Sequence, residues 1–368
     1  MKISCSQSEL LKGLTIVSSA VAQRTTNPIM ECILIDASTN DIRLTGNNNQ
    51  MGIETIIPGS IRERGQVAIE SKKLLEIVRN LPNNQVIIES NNNFETAINC
   101  DTAHFTVPGR NGDEFPYIPV LPRNVPIEIS QYSLREIIRQ TIFSTVENDN
   151  GHLMNGELLQ VEDNRLRLCS LDGHRISIRN IKLRDSHESL SAIIPARTLG
   201  EISKNMSGSV DDMVSIYITG NHVIFEFDMT TVVSRLIEGT FFNVNNMLSD
   251  DFETRIIINR RELVESIRRA LPMVSDTDKK PIVMTVHDQN MNISIVSSSG
   301  RFEEDLGMVK DGRDIQIAFN PKLILDVLKV VDEETVTMYL LTAHSPLFIK
   351  NEDGDYIYLV LPVNFNGR

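Results

Sequence analysis

The 368-residue sequence is informative first for what it lacks. No apolar run approaches the roughly 18 residues that a membrane-spanning helix needs, and the N-terminal Met1-Lys2-Ile3-Ser4-Cys5 has no signal-peptide core. The four cysteines are scattered and form no CxxC pair, so neither a disulfide framework nor a zinc site is expected. We therefore expect a cytoplasmic protein with reduced thiols and no membrane partner.

The usual signatures of catalysis and cofactor binding are also missing. The histidines show no metal-ligand spacing such as HxxxH, and there is no P-loop, GxGxxG or GxSxG motif. No group of carboxylates stands out that could hold the metal ions of a polymerase or nuclease. Asp172, His174 and Arg175 could form an acid–base group, but an Asp-Gly turn that leads into alternating strand residues favours a structural turn. We expect no enzyme, no cofactor and no metal site.

The sequence does contain one pattern repeated three times. An amphipathic helix is predicted near the start of each third, and a second one follows in its middle. The first helices are predicted at Ser8, Ser133 and Arg261. The acidic residue of the second helix recurs at two intervals of 125 residues, as Glu76, Glu201 and Asp326. This recurrence predicts three copies of one structural unit.

Strands are predicted between and after the two helices of each copy. Apolar and polar residues alternate in segments that begin at Asn40, Asn164 and Asn290, which is typical of half-buried antiparallel strands. A strand pair is predicted after each second helix, and proline-rich or acidic joints lie near residues 122 and 250. We predict an α+β fold with domains at 1–122, 123–250 and 251–368.

The charge distribution suggests an anionic partner. The chain carries a net charge of −13, which at first argues against nucleic acid. The six predicted helices nevertheless carry +8 together, and Lys72, Lys73 and Arg79 lie away from the apolar face of their helix. Solvated helix faces explain one such helix, and for six helices of one sign chance and a shared anionic partner are equally good explanations. Duplex DNA would fit as that partner, because its phosphates attract cations without reading sequence.

Three segments carry a resemblance to a known family. They are Leu171-Asp172-Gly173-His174-Arg175-Ile176, Phe319-Asn320-Pro321-Lys322, and the tail Tyr358-Leu359-Val360-Leu361-Pro362-Val363. Together, in a triple repeat, they resemble the bacterial sliding clamps, the beta subunits of DNA polymerase III, over essentially the whole chain. The resemblance implies three domains of the DNA-clamp fold, each with two helices packed on antiparallel sheets. It also implies a head-to-tail homodimer that closes a ring around double-stranded DNA, with twelve helices lining the hole.

The resemblance further implies a pocket for short partner peptides between the second and third domains. Its implied residues are Met154, Leu171, Gly173, His174, Arg175, Ile176, Phe242, Met247, Asn320, Leu323, Val360, Leu361, Pro362 and Val363. Met, Leu and Val suit a short peptide with apolar anchors, and Met makes such a surface adaptable. The sequence departs from the family at Phe241-Phe242-Asn243-Val244, where Phe-Pro-Asp-Tyr is usual, and at Asn246, where a basic residue is common.

The remaining implied sites concern DNA and the second subunit. Implied DNA-facing residues are Arg24, Lys73, Arg79, Arg197, Asn148 and Asn150, and implied interface residues are Phe105, Leu271 and Met273. The implied protein partners are the replicative polymerase, the clamp loader, and repair and translesion polymerases. One alternative stays open, a protein-only scaffold with the same triplicated fold, which would keep the pocket but have no reason for a cationic helix lining.

Overall fold

A computed structural model of the chain describes residues 1–22, 25–146, 153–274 and 280–365. It forms two compact units. The first unit comprises Met1–Leu134 with Arg197–Leu236, and the second comprises Arg135–Ala196 with Ile237–Arg368.

The described residues contain six α-helices, and all six lie where the sequence predicts them. They are α1 (Gln7–Ser18), α2 (Ser71–Asn80), α3 (Gln131–Thr141), α4 (Ala196–Asn205), α5 (Arg260–Ala270) and α6 (Pro321–Val330). Side-chain caps fix several of their N-termini, since Ser6, Asn259 and Asn320 each accept a hydrogen bond from a backbone N–H of the first turn. In the described part of the chain, no helix is both long and apolar enough to cross a bilayer.

The first unit is built on thirteen antiparallel strands. Their order in the sheet is β10-β13-β14-β15-β4-β3-β2-β6-β9-β8-β7-β1-β5. Their bounds are β1 (Lys2–Ser6), β2 (Cys32–Asp36), β3 (Ile42–Asn47), β4 (Met51–Ile57), β5 (Ser60–Glu63), β6 (Gln66–Glu70), β7 (Gln85–Ser90), β8 (Glu95–Cys100), β9 (Ala103–Asn111), β10 (Ile127–Ser130), β13 (Met213–Thr219), β14 (His222–Phe227) and β15 (Thr230–Arg235).

The second unit is built on ten antiparallel strands. Their order is β11-β12-β23-β22-β21-β16-β19-β18-β17-β20. Their bounds are β11 (Gly156–Leu171), β12 (Arg175–Pro195), β16 (Thr254–Asn259), β17 (Ile282–His287), β18 (Asn290–Ser297), β19 (Gly300–Gly312), β20 (Ile315–Phe319), β21 (Thr335–Leu340), β22 (Leu347–Lys350) and β23 (Tyr356–Val360).

The threefold repeat is visible in the strand pairing. In every copy a short strand before the first helix pairs with the strand after the second helix. The matching pairs are Ile3↔Ile88, Ile129↔Val214 and Ile258↔Val336. Each second helix is followed by three strands rather than the predicted pair, and the third strand of each copy pairs with the strand directly before it.

Strand pairing also joins neighbouring copies inside each unit. In the first unit β15 pairs with β4, with Thr230–Ser234 opposite Met51–Thr55. In the second unit β23 pairs with β12, with Tyr356–Val360 opposite Arg175–Arg179. Beneath β12 and β23 lies a small apolar core that includes Leu171, Ile176 and Leu359. This core supports the site described next.

Candidate functional site

An apolar cavity of about 450 Å³ opens on the second unit. We call it the apolar groove. It is lined by Met154, Leu171, Gly173, His174, Arg175, Ile176, Phe242, Met247, Pro346, Leu359 and Leu361. Its volume falls in the range of sites that hold small molecules or a few peptide side chains.

The backbone of the apolar groove is set by the turn between β11 and β12. Gly173 has φ +84°, a left-handed conformation that glycine adopts without strain. The Asp172 carboxylate accepts hydrogen bonds from the backbone N–H groups of His174 (3.0 Å) and Arg175 (3.1 Å). The turn is also tied to the tail, because the Leu361 N–H donates to the His174 carbonyl at 2.9 Å. Asp172 therefore has a structural task in this turn.

Arg175 is a buried cation at the base of the apolar groove. Its guanidinium donates to Asp172 (2.9 Å), to Asp326 (2.9 Å) and to the Phe143 carbonyl (2.5 Å). It also lies 5.2 Å from the centre of the Phe143 ring. Burial alone lowers the pKa of Arg175, but the hydrogen bond to Asp326 and the charge of Asp172 outweigh it and raise that pKa. Arg175 thus links the turn, α6 and the segment after α3.

The rim of the apolar groove exposes large side chains. Phe242 is 41%, Met247 51% and Leu361 42% exposed, whereas Leu171 and Leu359 are buried beneath them. Exposed apolar side chains grouped around a cavity are typical of a binding surface, because a folded protein gains nothing from leaving them in water.

The structure brings together nine of the fourteen residues predicted for the pocket, namely Met154, Leu171, Gly173, His174, Arg175, Ile176, Phe242, Met247 and Leu361. Asn320 instead caps α6, Leu323 packs against the core of the second unit, and Val360 is fully buried. The tail continues through Pro362 to Val363, whose N–H donates to the Ala318 carbonyl at 2.8 Å.

Two lining residues were missed from the sequence. Leu359 belongs to the quoted tail motif, and its alternation with Val360 could have indicated that the two side chains point to opposite faces. Pro346 lies in a loop before β22, and no pattern in the sequence indicates its role.

The cations predicted to face DNA are exposed where the structure describes them. Lys73 and Arg79 lie on α2, Arg197 lies on α4, and none of the three forms an ion pair with a described carboxylate. Arg197 donates to the Ser19 carbonyl at 3.5 Å. Arg24, Asn148 and Asn150 lie outside the described residues.

The predicted interface residues lie on both units. Phe105 is on β9 and is 39% exposed. Leu271 and Met273 belong to a short 3-10 helix, Leu271–Met273, and pack partly against the core of the second unit.

The described residues contain no group of three or more His, Cys, Asp or Glu side chains that could hold a metal ion. The four cysteines are free and buried, and burial raises the pKa of the Cys5 and Cys169 thiols to about 12.

Family models match nearly the whole chain. They describe the N-terminal, central and C-terminal domains of the DNA polymerase III beta subunit and match residues 1–119, 128–243 and 245–364.

Individual proteins are similar along their full length. A crystal structure assigned to the DNA polymerase III beta subunit of Eubacterium rectale is 53% identical, with a TM-score of 0.96 and 100% of both chains covered. The DNA polymerase sliding clamp of Bacillus subtilis is 28% identical, with a TM-score of 0.95 and 99% of both chains covered. The beta sliding clamp of Staphylococcus epidermidis is 28% identical over 374 residues, which cover 99% of each chain.

Proposed function

Since the chain belongs to the family of bacterial DNA polymerase III beta subunits, the sliding clamps that serve as processivity factors in replication, we propose that its apolar groove binds short peptides of partner proteins. The observation that carries the proposal is the groove itself, an open apolar cavity of about 450 Å³ rimmed by exposed Phe242, Met247 and Leu361. We propose as its occupants the replicative polymerase, the clamp loader, and repair and translesion polymerases.

The chemistry of the apolar groove favours a peptide with two or three apolar side chains. Complete burial of one Leu or Phe side chain contributes roughly 1.5–3 kcal/mol, so two or three anchors contribute about 3–9 kcal/mol. The cost of association offsets much of this contribution, so we expect a weak, reversible complex. Met154 and Met247 can adjust to anchors of different shape, which suits several partners that share one site. Arg175 is held by Asp172 and Asp326, so it keeps the floor in place rather than pairing with the ligand.

We propose that duplex DNA is the partner of the basic helices. Lys73, Arg79 and Arg197 are exposed without a carboxylate partner among the described residues, so their charges are available to phosphates. Such contacts are independent of base sequence and weaken with salt. They suit a protein that moves along DNA.

We propose that two molecules of the protein assemble head to tail into a ring. The contact between them would use the same kind of strand pairing that joins neighbouring repeats inside each unit. In the described residues, 103–108 of β9 pair only with β8, and 300–306 of β19 pair only with β18. By repeat position the first segment corresponds to β15 and β23, and the second to β4 and the start of β12. A second molecule would provide the missing partner for each edge, and a heterologous contact of this kind closes a ring when the rotation is right. Phe105 lies on the first edge, and Met273 lies 3.4 Å from the Cβ position of Gly300 on the second.

In this proposal the chain has no catalytic role and acts in the cell interior, where the DNA is. The alternative is a protein-only scaffold with the same fold. The cations on α2 and α4 that lack a carboxylate partner among the described residues favour DNA over that alternative, since a protein-only scaffold has no use for their charge.

The peptide proposal is tested with Leu361→Asp. A charged side chain at the rim of an apolar groove should weaken binding of a fluorescein-labelled peptide with leucine and phenylalanine anchors by about a hundredfold, because burial of a carboxylate is costly. The matched control is Val309→Asp, which places the same charge on a 62% exposed apolar residue of β19 outside the groove. Anisotropy titrations with equal affinity for both variants would refute the site.

The DNA proposal is tested by retention on circular and linearised plasmid after incubation with a clamp loader and ATP. Retention on circles that is lost on linearisation is expected for a ring that encircles DNA. Equal retention on both forms would indicate ordinary surface binding. No retention, with a loader shown to be active on another clamp, would favour the protein-only scaffold.

A further inference from the structure

The first unit has a cleft of about 230 Å³ that has no role in the proposed function. We call it the polar groove. It is lined by Asn47, Asn49, Gln50, Met51, Gly52, Tyr117, Ile118, Pro119, His222, Val233 and Arg235.

Strand register identifies the polar groove as the counterpart of the apolar groove. Gly52 pairs with Val233 in the first unit as Ile176 pairs with Leu359 in the second. The hydrogen bond that fixes the turn also recurs, because the Arg235 N–H donates to the Gln50 carbonyl at 2.9 Å. It has the same length as the bond from Leu361 to His174. The two grooves therefore have the same backbone and differ in side chains.

At matched positions, polar side chains line the polar groove where apolar side chains line the apolar groove. In the matched register Arg235 takes the position of Leu361, and Asn47 takes that of Leu171. Gly52 takes the position of Ile176, and the space is filled by Ile118, which lies 2.6 Å from where a Cβ of Gly52 would be. Together with Val233, Ile118 leaves an apolar floor under a polar rim.

The rim of the polar groove has hydrogen-bonding and basic groups whose side chains have no partner among the described residues. Arg235 is exposed and forms no ion pair with a described residue, and the exposed amides of Asn49 and Gln50 donate no hydrogen bond to one. Burial, and then the charge of Arg235, lower the pKa of His222, so at neutral pH Arg235 carries the charge of this site. None of the eleven lining residues is acidic, although the chain as a whole carries −13. The site is thus locally electropositive on an acidic protein.

We propose that the polar groove is a second peptide site, which takes a short acidic segment of a partner protein. A ligand carboxylate would pair with Arg235, the amides of Asn49 and Gln50 would bind the ligand backbone, and one apolar side chain would cover Ile118 and Val233. This inference rests on the proposed function in one respect, that a groove with this backbone accepts peptides. A peptide fits better than nucleic acid because the cleft is small and offers one full positive charge, whereas nucleic acid binding needs several phosphate contacts.

The probe is a fluorescein-labelled pentapeptide with alternating Glu and Leu, titrated at low salt and followed by anisotropy. Binding by the unmodified protein is expected to weaken about tenfold in Arg235→Gln and further in Arg235→Glu, and to survive in Arg235→Lys, as for a charge-assisted contact. The matched control is Arg62→Glu, an exposed cation on β5 of the same unit that lies outside the groove. Thermal unfolding of each variant shows that it remains folded.

Four results would overturn the inference. The first three are no binding of the probe, equal affinity in Arg235→Glu and Arg62→Glu, and loss of binding in Leu361→Asp instead, which would assign the probe to the apolar groove. Displacement of the probe by oligothymidylate through Arg235 would mark the cleft as a phosphate site and also overturn it. The leucine- and phenylalanine-anchored peptide is titrated in parallel: its failure to bind would refute the proposed function, whereas its unchanged binding to Arg235→Glu would separate the two grooves.

Discussion

Glu157 is a carboxylic acid enclosed in the second unit, and its replacement tests how burial controls the stability of this unit. It lies on β11, is fully buried, and neither carboxyl oxygen has a hydrogen-bond partner among the described residues. Burial raises the pKa of Glu157 to about 8, and the neighbouring Thr141 hydroxyl lowers it only in part.

The difference between the pKa of Glu157 in the folded and unfolded states sets both the sign and the size of the change in stability with pH. The carboxyl ionises at its ordinary pKa of 4.5 in the unfolded chain but only at about 8 in the folded unit. Between these values the native state holds one more proton, so the stability of the unit falls as pH rises. The full loss, reached above pH 8, is about 5 kcal/mol, and about 3 kcal/mol of it falls between pH 5.5 and 8.5.

The variant Glu157→Gln removes this ionisation while keeping the shape of the side chain. Urea unfolding at pH 5.5, 6.5, 7.5 and 8.5 should show a stability difference from the unmodified protein that moves in favour of the variant by about 1.4 kcal/mol per pH unit in the middle of the range. The amide adds its own buried donors, so the slope with pH is the test and the constant offset is not. Glu162→Gln, at an exposed position of the same strand, is the control. A stability difference for Glu157→Gln that stays constant with pH would refute the reasoning.

Three further predictions follow from the same structure. Reversal of Lys73, Arg79 and Arg197 to Glu should slow loading of the protein onto circular plasmid and reduce the salt slope of DNA binding by up to about 0.9 per lost phosphate contact; a slope equal to that of the Arg62→Glu control would contradict the DNA-facing role. Phe105→Arg should convert a dimer to monomers in sedimentation velocity, because a charge would then lie on the free edge of β9; a dimer of undiminished affinity would argue against this edge as the interface. Arg175→Lys should lower the free energy of unfolding by roughly 2–3 kcal/mol, because Lys cannot reach Asp172, Asp326 and the Phe143 carbonyl at once. Thermal stability and peptide affinity equal to those of the unmodified protein would contradict this prediction.

Helices were predictable from the sequence to within a few residues because their signals are local. The apolar spacing of α2 and α6, and the Asn320-Pro321 start of α6, are contained in ten consecutive residues. The short strands before each first helix were missed, since β1, β10 and β16 have only four to six residues. The pairing of β4 with β15 could not be predicted from the sequence either. It joins residues about 180 positions apart, and no local sequence pattern specifies which residues face each other.

Site residues could be predicted where they form a contiguous sequence motif. They could not be predicted where their role depends on burial in the folded protein. Leu171 to Ile176 form one contiguous motif, and the structure places five of these six residues, all but Asp172, around one cavity. Glu157 gave no signal, since a Glu between Gly156 and Leu158 is as easily an exposed strand residue as a buried one. Its enclosure depends on α3 and on the neighbouring strands, which only the folded unit brings together.

The cations on the helices that pair with no described carboxylate bear on how a clamp could hold DNA and still move. In the proposed complex, Lys73, Arg79 and Arg197 would make contacts that salt weakens strongly, and each contact would be easily exchanged for an ion or a neighbouring phosphate. A protein that relied on them alone would dissociate at physiological salt, and a tighter set would stop it from sliding. In the proposed ring, closure prevents dissociation, so the helices need to supply only an attractive, smooth lining. The net charge of −13 is consistent with this arrangement, because negative charge on the rest of the surface would repel DNA everywhere except along these helices.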